Sequence, residues 1–352
     1  MPAFISRSTN TLRVSAPFGA TLARAAALVL LFALVAEGFF RLPVIHQFQK
    51  YPVVTGYNDE GIKYAHLISL AEKPGSVDCV FVGSSIVLVG IDPAAVSAAY
   101  YRETGKVLRC TNFGLAGLND NGVAVMADIL VKQLHPRLIV YGTSYHDFRD
   151  GGRQSLDFPW AAYAGGQFSP RGWLETHSFA LQALLRFRLD SHDQAQVADL
   201  EANMTPQGYF AEFKSISTAA PPDAAQLQVL ITQWDEFSPD VSDRRPAYRH
   251  LLLNAAGATK LVIVEMPVPP TVIALLPGGE AAYEEFLRGL ASAAGEVDAP
   301  FVETYRQPVV AASDWGDYQH MNDSGAQAFS RWLGVQLAHL DAQGALAAPI
   351  AP

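Results

Sequence analysis

Four residues have the types and spacing for nucleophilic attack on a carbonyl: Ser84 and Ser85 in the first third of the chain, Asp317 and His320 near its end. A serine hydroxyl is almost wholly protonated at neutral pH. It attacks only with an imidazole beside it to take the proton, and that imidazole needs a carboxylate to fix its tautomer. Asp317 and His320, three apart in Asp317-Tyr318-Gln319-His320-Met321-Asn322, can do both jobs from a loop just before a helix. Taken singly, Gly83-Ser84-Ser85 reads first as an ordinary polar turn after a strand, and the Asp317 stretch as a surface loop before a helix. The pairing points to chemistry, and the residues alone leave Ser84 and Ser85 both open as the nucleophile.

These groups must be carried by something rigid. Cys79 to Gly83 is an uncharged run, as expected of a strand buried on both faces of a parallel sheet. In such sheets ligands bind beyond the carboxyl ends of the strands, where the two serines fall. Ile86 to Val89 reads as apolar packing under the sheet. Asp92 reads as the N-cap of a helix with Pro93 at its first position, ending at Gly105. A second strand, about Val107 to Thr111, would deliver Asn112-Phe113-Gly114 to the same edge. A glycine there lets backbone approach a substrate with its N–H free to donate. A helix from Asn119 to about Leu134 and a third strand, Leu138 to Gly142, continue the strand-helix rhythm. Pro246 to Ala256 (helix), Lys260 to Glu265 (strand), Glu280 to Ala294 (helix), Phe301 to Thr304 (short strand) and a last helix capped by Asn322 or Asp323 complete it.

Gly83-Ser84-Ser85 after a first strand, Asn112-Phe113-Gly114-Leu115-Ala116-Gly117 after a second, and Asp317-x-x-His320 near the end together resemble the SGNH/GDSL hydrolase superfamily. The resemblance covers about residues 76 to 150 and 258 to 342. It implies an α/β, flavodoxin-like three-layer sandwich with a parallel sheet, and serine esterase or acyltransferase chemistry. It further implies Ser85 as nucleophile, His320 as general base, Asp317 as its orienter, and Ser85 N–H with Gly114 N–H as oxyanion donors. Superfamily members place Gly-x-Asn-Asp after the third strand; here Gly142-Thr143-Ser144-Tyr145 leaves Ser144 or Tyr145 as substitute donors. Ser84, Asn112, Tyr145 and His146 are expected as substrate contacts. The Gly-Ser-Ser variant with a membrane-anchored start resembles the extracytoplasmic branch, which includes the D-alanine-transfer protein of teichoic acid synthesis and the alginate O-acetylation proteins.

The membrane reading comes from the residues. Ala20 to Phe40 is nearly continuous apolar sequence, broken by Arg24 near its start and Glu37 near its end. About 20 such residues span a bilayer. Arg7, Arg13 and Arg24, with no acidic residue before the run, place residues 1–19 in the cytoplasm and the remainder outside. A cleaved signal peptide fits poorly, because Leu34-Val35-Ala36 lacks the small residues cleavage wants. The expectation is a single-pass inner-membrane protein with its catalytic domain on the periplasmic side.

A chain of 352 residues, half hydrophobic, can bury a substantial core, and its net charge of −9 argues against nucleic acid as a partner. No His/Cys cluster has metal-ligand spacing and no phosphate-binding Gly-rich loop occurs, so neither metal nor cofactor is expected. Cys79 and Cys110, on adjacent predicted strands, read as buried thiols.

The domain plan is an anchor at 20–40, a connector and leading helix at 41–75, a catalytic domain at 76–342 and a frayed tail at 343–352. An insertion at about 151–240 interrupts the alternation, with one amphipathic helix near Ala180 to Leu189 and a further helix at Pro222 to Trp234. Its Trp160 and Trp173 are candidate sugar-stacking rings, although aromatics in an insertion more often fill its own small core, and that reading comes first. The function expected is acyl transfer on a cell-envelope or exported polysaccharide, as O-acetyltransferase or O-acetyl esterase. A membrane partner would supply acyl groups to a transferase. The alternative is a glycan-binding scaffold without catalysis.

Overall fold

The apolar N-terminal run forms helix α1 (Ala16–Phe40). Within it Gly19–Phe40 is long and apolar enough to cross a membrane, and none of its most apolar window is buried against the protein. This computed structural model describes residues 16–42, 58–73, 75–148, 163–187, 198–200, 202–211 and 246–346, with single positions at 195, 225, 228, 229 and 232. Helix α2 (Asn58–Ala71) leads into strand β1 (Cys79–Gly83), followed directly by the short helix α3 (Ser85–Gly90) and by α4 (Pro93–Thr104). Then come β2 (Cys110–Gly114), α5 (Asp120–Leu134) and β3 (Leu138–Thr143). The intervening region contributes α6 (Pro170–His177) and α7 (Phe179–Phe187). After it, α8 (Pro246–Ala258), β4 (Lys260–Glu265), α9 (Pro270–Ile273), α10 (Gly279–Gly295), β5 (Phe301–Val302) and α11 (Asp323–Ala342) close the chain.

The five strands form one parallel sheet in the order β2-β1-β3-β4-β5, the doubly wound order of flavodoxin-like folds. Every residue of β1, β2 and β3 is buried, as uncharged runs between two helical layers require. Val80, Val82, Ile139 and Ile263 pack to one side with residues of α5, α8 and α10. Cys79, Phe81, Val140 and Val264 pack to the other with α3, α4 and α11. The strand order switches at β1, so the crevice for a ligand lies beyond the ends of β1 and its neighbours.

Local sequence signals set the helix boundaries. Asp92, Asn119 and Asn322 each cap a helix by accepting a backbone N–H, from Ala94, Gly122 and Gly325 respectively. Gly105, at φ 69°, closes α4. Ile86 to Gly90 are buried in α3, which settles the apolar stretch after the serines as packing.

Strand β2 departs from its expected span. It runs Cys110–Gly114 rather than about Val107 to Thr111, so Asn112, Phe113 and Gly114 lie in the sheet, with Gly83 and Gly114 as register partners. The same register sets Cys79 beside Cys110, both buried free thiols.

The outer edge of β2 is covered by residues 204–210. Asn112 N–H donates to Gln207 O at 2.8 Å, and Phe210 N–H reaches Leu88 O at 3.2 Å. That covering is what a sheet edge needs to avoid pairing with other chains. At the opposite end of the domain, the last turn of α5 holds the segment leading into α6. Lys132 Nζ donates to Gly165 O at 2.9 Å and Gln133 Nε2 to Ala164 O at 2.8 Å.

Candidate active site

Ser85 is the first residue of α3, immediately beyond the carboxyl end of β1. Its Oγ lies 2.9 Å from His320 Nε2, and His320 Nδ1 lies 2.8 Å from Asp317 Oδ2. The second carboxylate oxygen, Asp317 Oδ1, accepts the backbone N–H groups of Gln319 at 2.7 Å and His320 at 2.6 Å. With Nδ1–H donated to a carboxylate, Nε2 is left to accept the Ser85 hydroxyl proton. Burial opposes the charge on Asp317, but His320 and the two backbone donors outweigh it and hold the carboxyl below its usual range.

The loop bearing Asp317 and His320 is stiffly built. Trp315 and Met321 form an antiparallel bridge and are both buried. His320 O accepts from Gly316 N, and Asn322 Nδ2 donates to Ser313 O at 3.0 Å. A Cβ on Gly325 would lie 2.3 Å from Asp314 O, so only glycine lets α11 start that close to the loop. Upstream, Glu265 at the end of β4 accepts from Tyr283 OH, Thr304 N and Tyr305 N, fixing the path that leads to this loop.

Several expected site residues prove to be structural. Gly114 N–H is not free for an oxyanion; it donates to Asn112 Oδ1 at 2.8 Å. Gly114 is required instead because α3 crosses it, and an added Cβ would lie 2.4 Å from Leu88 N. Asn112 is fully buried, and its amide donates to Val87 O and Ile91 O at 2.7 and 2.8 Å. It therefore pins the end of α3 to β2 and is no substrate contact. Ser84 is buried as the N-cap of α3 and is not hydrogen-bonded to His320. Ser144 and Tyr145 are each 1% exposed, and His146 is buried beside Tyr145 with ring centroids 4.0 Å apart. Trp173 sits on α6, stacked on His177 at 5.0 Å, whose carbonyl Arg41 holds, and belongs with the end of α1 rather than the Ser85 edge. Trp160, and most of the helix expected at Pro222 to Trp234, lie outside the described residues.

Gly117 has the unused backbone N–H that Gly114 lacks. It lies in the turn after β2 at φ 73°, open enough that an added Cβ would meet nothing within 4 Å. Neither its N–H nor that of Ser85 has an acceptor among the described residues. Its neighbours hold it at the Ser85 edge: Leu115 N donates to Gly83 O at 3.1 Å, and Ala116 N to Asp59 Oδ2 at 2.8 Å. The signal was the Gly114-x-x-Gly117 spacing, in which the first glycine answers to packing and the second to a loop.

Helix α2 also reaches this edge. Lys63, fully buried, donates its ammonium to Asn112 O and Gly208 O, tying the leading helix to β2 and to the covering loop. Burial pushes its pKa down to about 7, with Asp59 one helical turn away acting in the opposite sense.

Below the Ser84-Ser85 turn lies a buried carboxyl, Asp147. Its Oδ2 accepts Ser144 N–H at 3.0 Å and lies 3.4 Å from Tyr141 OH. Burial pushes its pKa up to about 7. A folded-state value raised above the unfolded one gives stability that is complete below about pH 4 and is lost as pH rises through about 7. Asp147→Asn has no such loss. Its melting temperature relative to wild type is expected to climb from pH 4 to pH 8; a constant difference across that range would contradict a carboxyl held neutral by burial.

Two cavities flank these elements. One, of about 540 Å³, is lined by Glu265, Tyr305, Arg306 and Trp315 and adjoins the Asp317 loop. The other, of about 670 Å³, is lined by Arg41, Tyr64, Ile68, Gln133 and Phe179 beside the end of α1. Among the described residues no cluster of three or more His, Cys, Asp or Glu could hold a metal ion.

No family model matches the chain, and no curated protein does. Solved structures do. The inhibitor-bound aryl esterase of M. smegmatis is 13% identical over 75% of this chain and 100% of its own, at a TM-score of 0.36. Est24, a carbohydrate acetylesterase from Sinorhizobium meliloti, is 11% identical over 74% and 99%, at 0.37. TesA is 13% identical over 74% and 98%, at 0.34. Likeness at this level bears on neither the reaction nor the substrate of this chain.

Proposed function

We propose that this protein is a serine esterase or O-acyltransferase, held by α1 in the inner membrane with its active site on the periplasmic side and acting on a cell-envelope or exported polysaccharide. The observation that carries the chemistry is the continuous relay from Asp317 through His320 to Ser85, at 2.8 and 2.9 Å. Ser85 Oγ attacks an ester carbonyl while His320 Nε2 takes its proton, and Asp317 stabilises the imidazolium. The N–H groups of Ser85 and Gly117 receive the charge on the tetrahedral oxygen. Collapse expels the alcohol, which takes the proton from His320, and leaves an acyl-Ser85. Water then completes an esterase cycle, or a sugar hydroxyl a transferase cycle, with the same base taking and returning the second proton. The membrane setting and the polysaccharide acceptor rest on α1 and on the resemblance of the Gly-Ser-Ser variant with a membrane-anchored start to the extracytoplasmic branch.

The test is covalent. Full-length protein in detergent, treated with a fluorophosphonate, is expected to carry one adduct mapped by mass spectrometry to Ser85, and to turn over p-nitrophenyl acetate until labelled. A folded protein that neither labels nor turns over would overturn the reading. The glycan-binding scaffold would then be favoured by the absence of a side-chain amide after β3. Release of p-nitrophenol accelerated by added polysaccharide, with acetyl recovered on the glycan, separates transferase from esterase.

A further inference from the structure

Glu37, the acid that interrupts the end of the apolar run, does not face open water. Its carboxylate accepts Ser178 Oγ at 2.8 Å and the backbone N–H groups of Phe179 and Ala180, each at 3.1 Å. Those N–H groups are orphan donors at the start of α7, and a carboxylate from another helix satisfies them. Arg41 completes the joint. It donates to Glu37 at 2.8 Å and to His177 O at 3.1 Å, and its guanidinium lies 5.1 Å from the centre of the Phe179 ring. The corner between α6 and α7 is therefore clamped to the last turn of α1. Glu37 stands three residues before Phe40, about 5 Å along a helix, so α7 begins at the depth where the span leaves the hydrocarbon.

These two helices and the turn before α6 carry large apolar side chains that are exposed among the described residues. Phe168 is 96% exposed, Trp173 50%, Leu174 46%, Leu184 53% and Phe187 87%. Leu184 and Phe187, three apart, share a face of α7. Five large apolar groups exposed within 20 residues are a concentration that calls for a partner. Its fixed position beside the end of a lipid-facing helix identifies that partner. Trp and Phe at headgroup level, with leucines toward the acyl boundary, are the composition of an interfacial helix.

We infer that α6 and α7 lie in the interfacial layer of the bilayer that α1 crosses, with Trp173, Leu174, Leu184 and Phe187 against phospholipid. The inference rests on α1 being a span and is independent of the acyl-transfer chemistry. It makes the anchor a three-helix foot rather than a single tether.

Full-length protein, reconstituted in phosphatidylcholine/phosphatidylglycerol vesicles, tests it with an environment-sensitive fluorophore at Leu184→Cys or Phe187→Cys. Leu30→Cys serves as the mid-span reference and Val107→Cys as the aqueous one; the native Cys79 and Cys110 are buried. Positions 184 and 187 are expected to be quenched by nitroxide near the lipid headgroup more than by nitroxide deep in the acyl chain. Their quenching by aqueous iodide should be severalfold weaker than at 107. Adding Glu37→Ala should raise iodide access at 187 without moving 30. If 184 and 187 are as open to iodide as 107 while 30 is lipid-quenched, the helices lie in water and the inference is overturned. If 30 is itself open to iodide, the span fails and the inference with it, whatever the esterase assays return.

Discussion

Replacing Ser85 with alanine is expected to lower kcat/KM for p-nitrophenyl acetate by about 10⁴-fold or more, with His320→Ala equivalent and the double variant no worse than either. The non-additivity follows from the relay. Without His320 the Ser85 hydroxyl keeps its proton, and without Ser85 the imidazole has nothing to activate. Ser84→Ala is the control that gives the result meaning. Ser84 is adjacent, buried, and makes no side-chain cap bond, so its loss should leave turnover within a few-fold of wild type. Equal losses at both serines would instead indicate that the turn, not the Ser85 oxygen, is what activity needs. Thermal melts of all variants distinguish chemistry from unfolding, since Ser85 and His320 are both only half-buried.

The second large effect is expected from Asp317→Asn, at about 10³- to 10⁴-fold in kcat with little change in KM. Asn matches the shape of Asp, and its carbonyl oxygen is expected to keep the bonds from Gln319 N–H and His320 N–H, because those donors leave Oδ1 no alternative. The amide nitrogen then faces His320 Nδ1 and donates to it. Nδ1 becomes the acceptor, Nε2 carries the proton, and the ring presents a donor to Ser85 where it needs an acceptor. The loop should keep its fold, so the melting temperature should fall far less than the activity. A variant retaining a tenth or more of wild-type kcat would mean that Asp317 serves the loop rather than the imidazole.

Much of this arrangement was legible because it rests on local chemistry. The uncharged Cys79–Gly83 run, the caps at Asp92, Asn119 and Asn322, and the alternation of strand and helix are consequences of period and hydrogen bonding that neighbouring residues determine. Asp317 and His320 were readable as partners because three residues in a turn bring them within reach. What was not legible depended on contacts distant in sequence. Asn112 looks like a loop residue because a buried strand rarely holds an amide, yet here the amide binds Val87 O and Ile91 O from another element. That misplaced the end of β2, and with it the oxyanion role given to Gly114. Lys63 looks like an ordinary helix-surface charge until the loop at Gly208 closes over it. Glu37 reads as a blemish in an apolar run, since nothing near it predicts that α7 will need its carboxylate.

The attachment of the α6 approach to the last turn of α5 sets how far Ser85 stands from α1. A helix following a parallel strand runs back toward the strands' amino ends, so Lys132 and Gln133 lie at the opposite edge of the sheet from Ser85. The 15 residues of α5 separate those edges by about 22 Å. In the proposed membrane setting, with α1 and its neighbouring helices at the base, the nucleophile would stand roughly that distance off the headgroups. An acyl donor buried in a bilayer would then fall short of it, and the proposed transferase cycle would need a carrier that reaches beyond the surface.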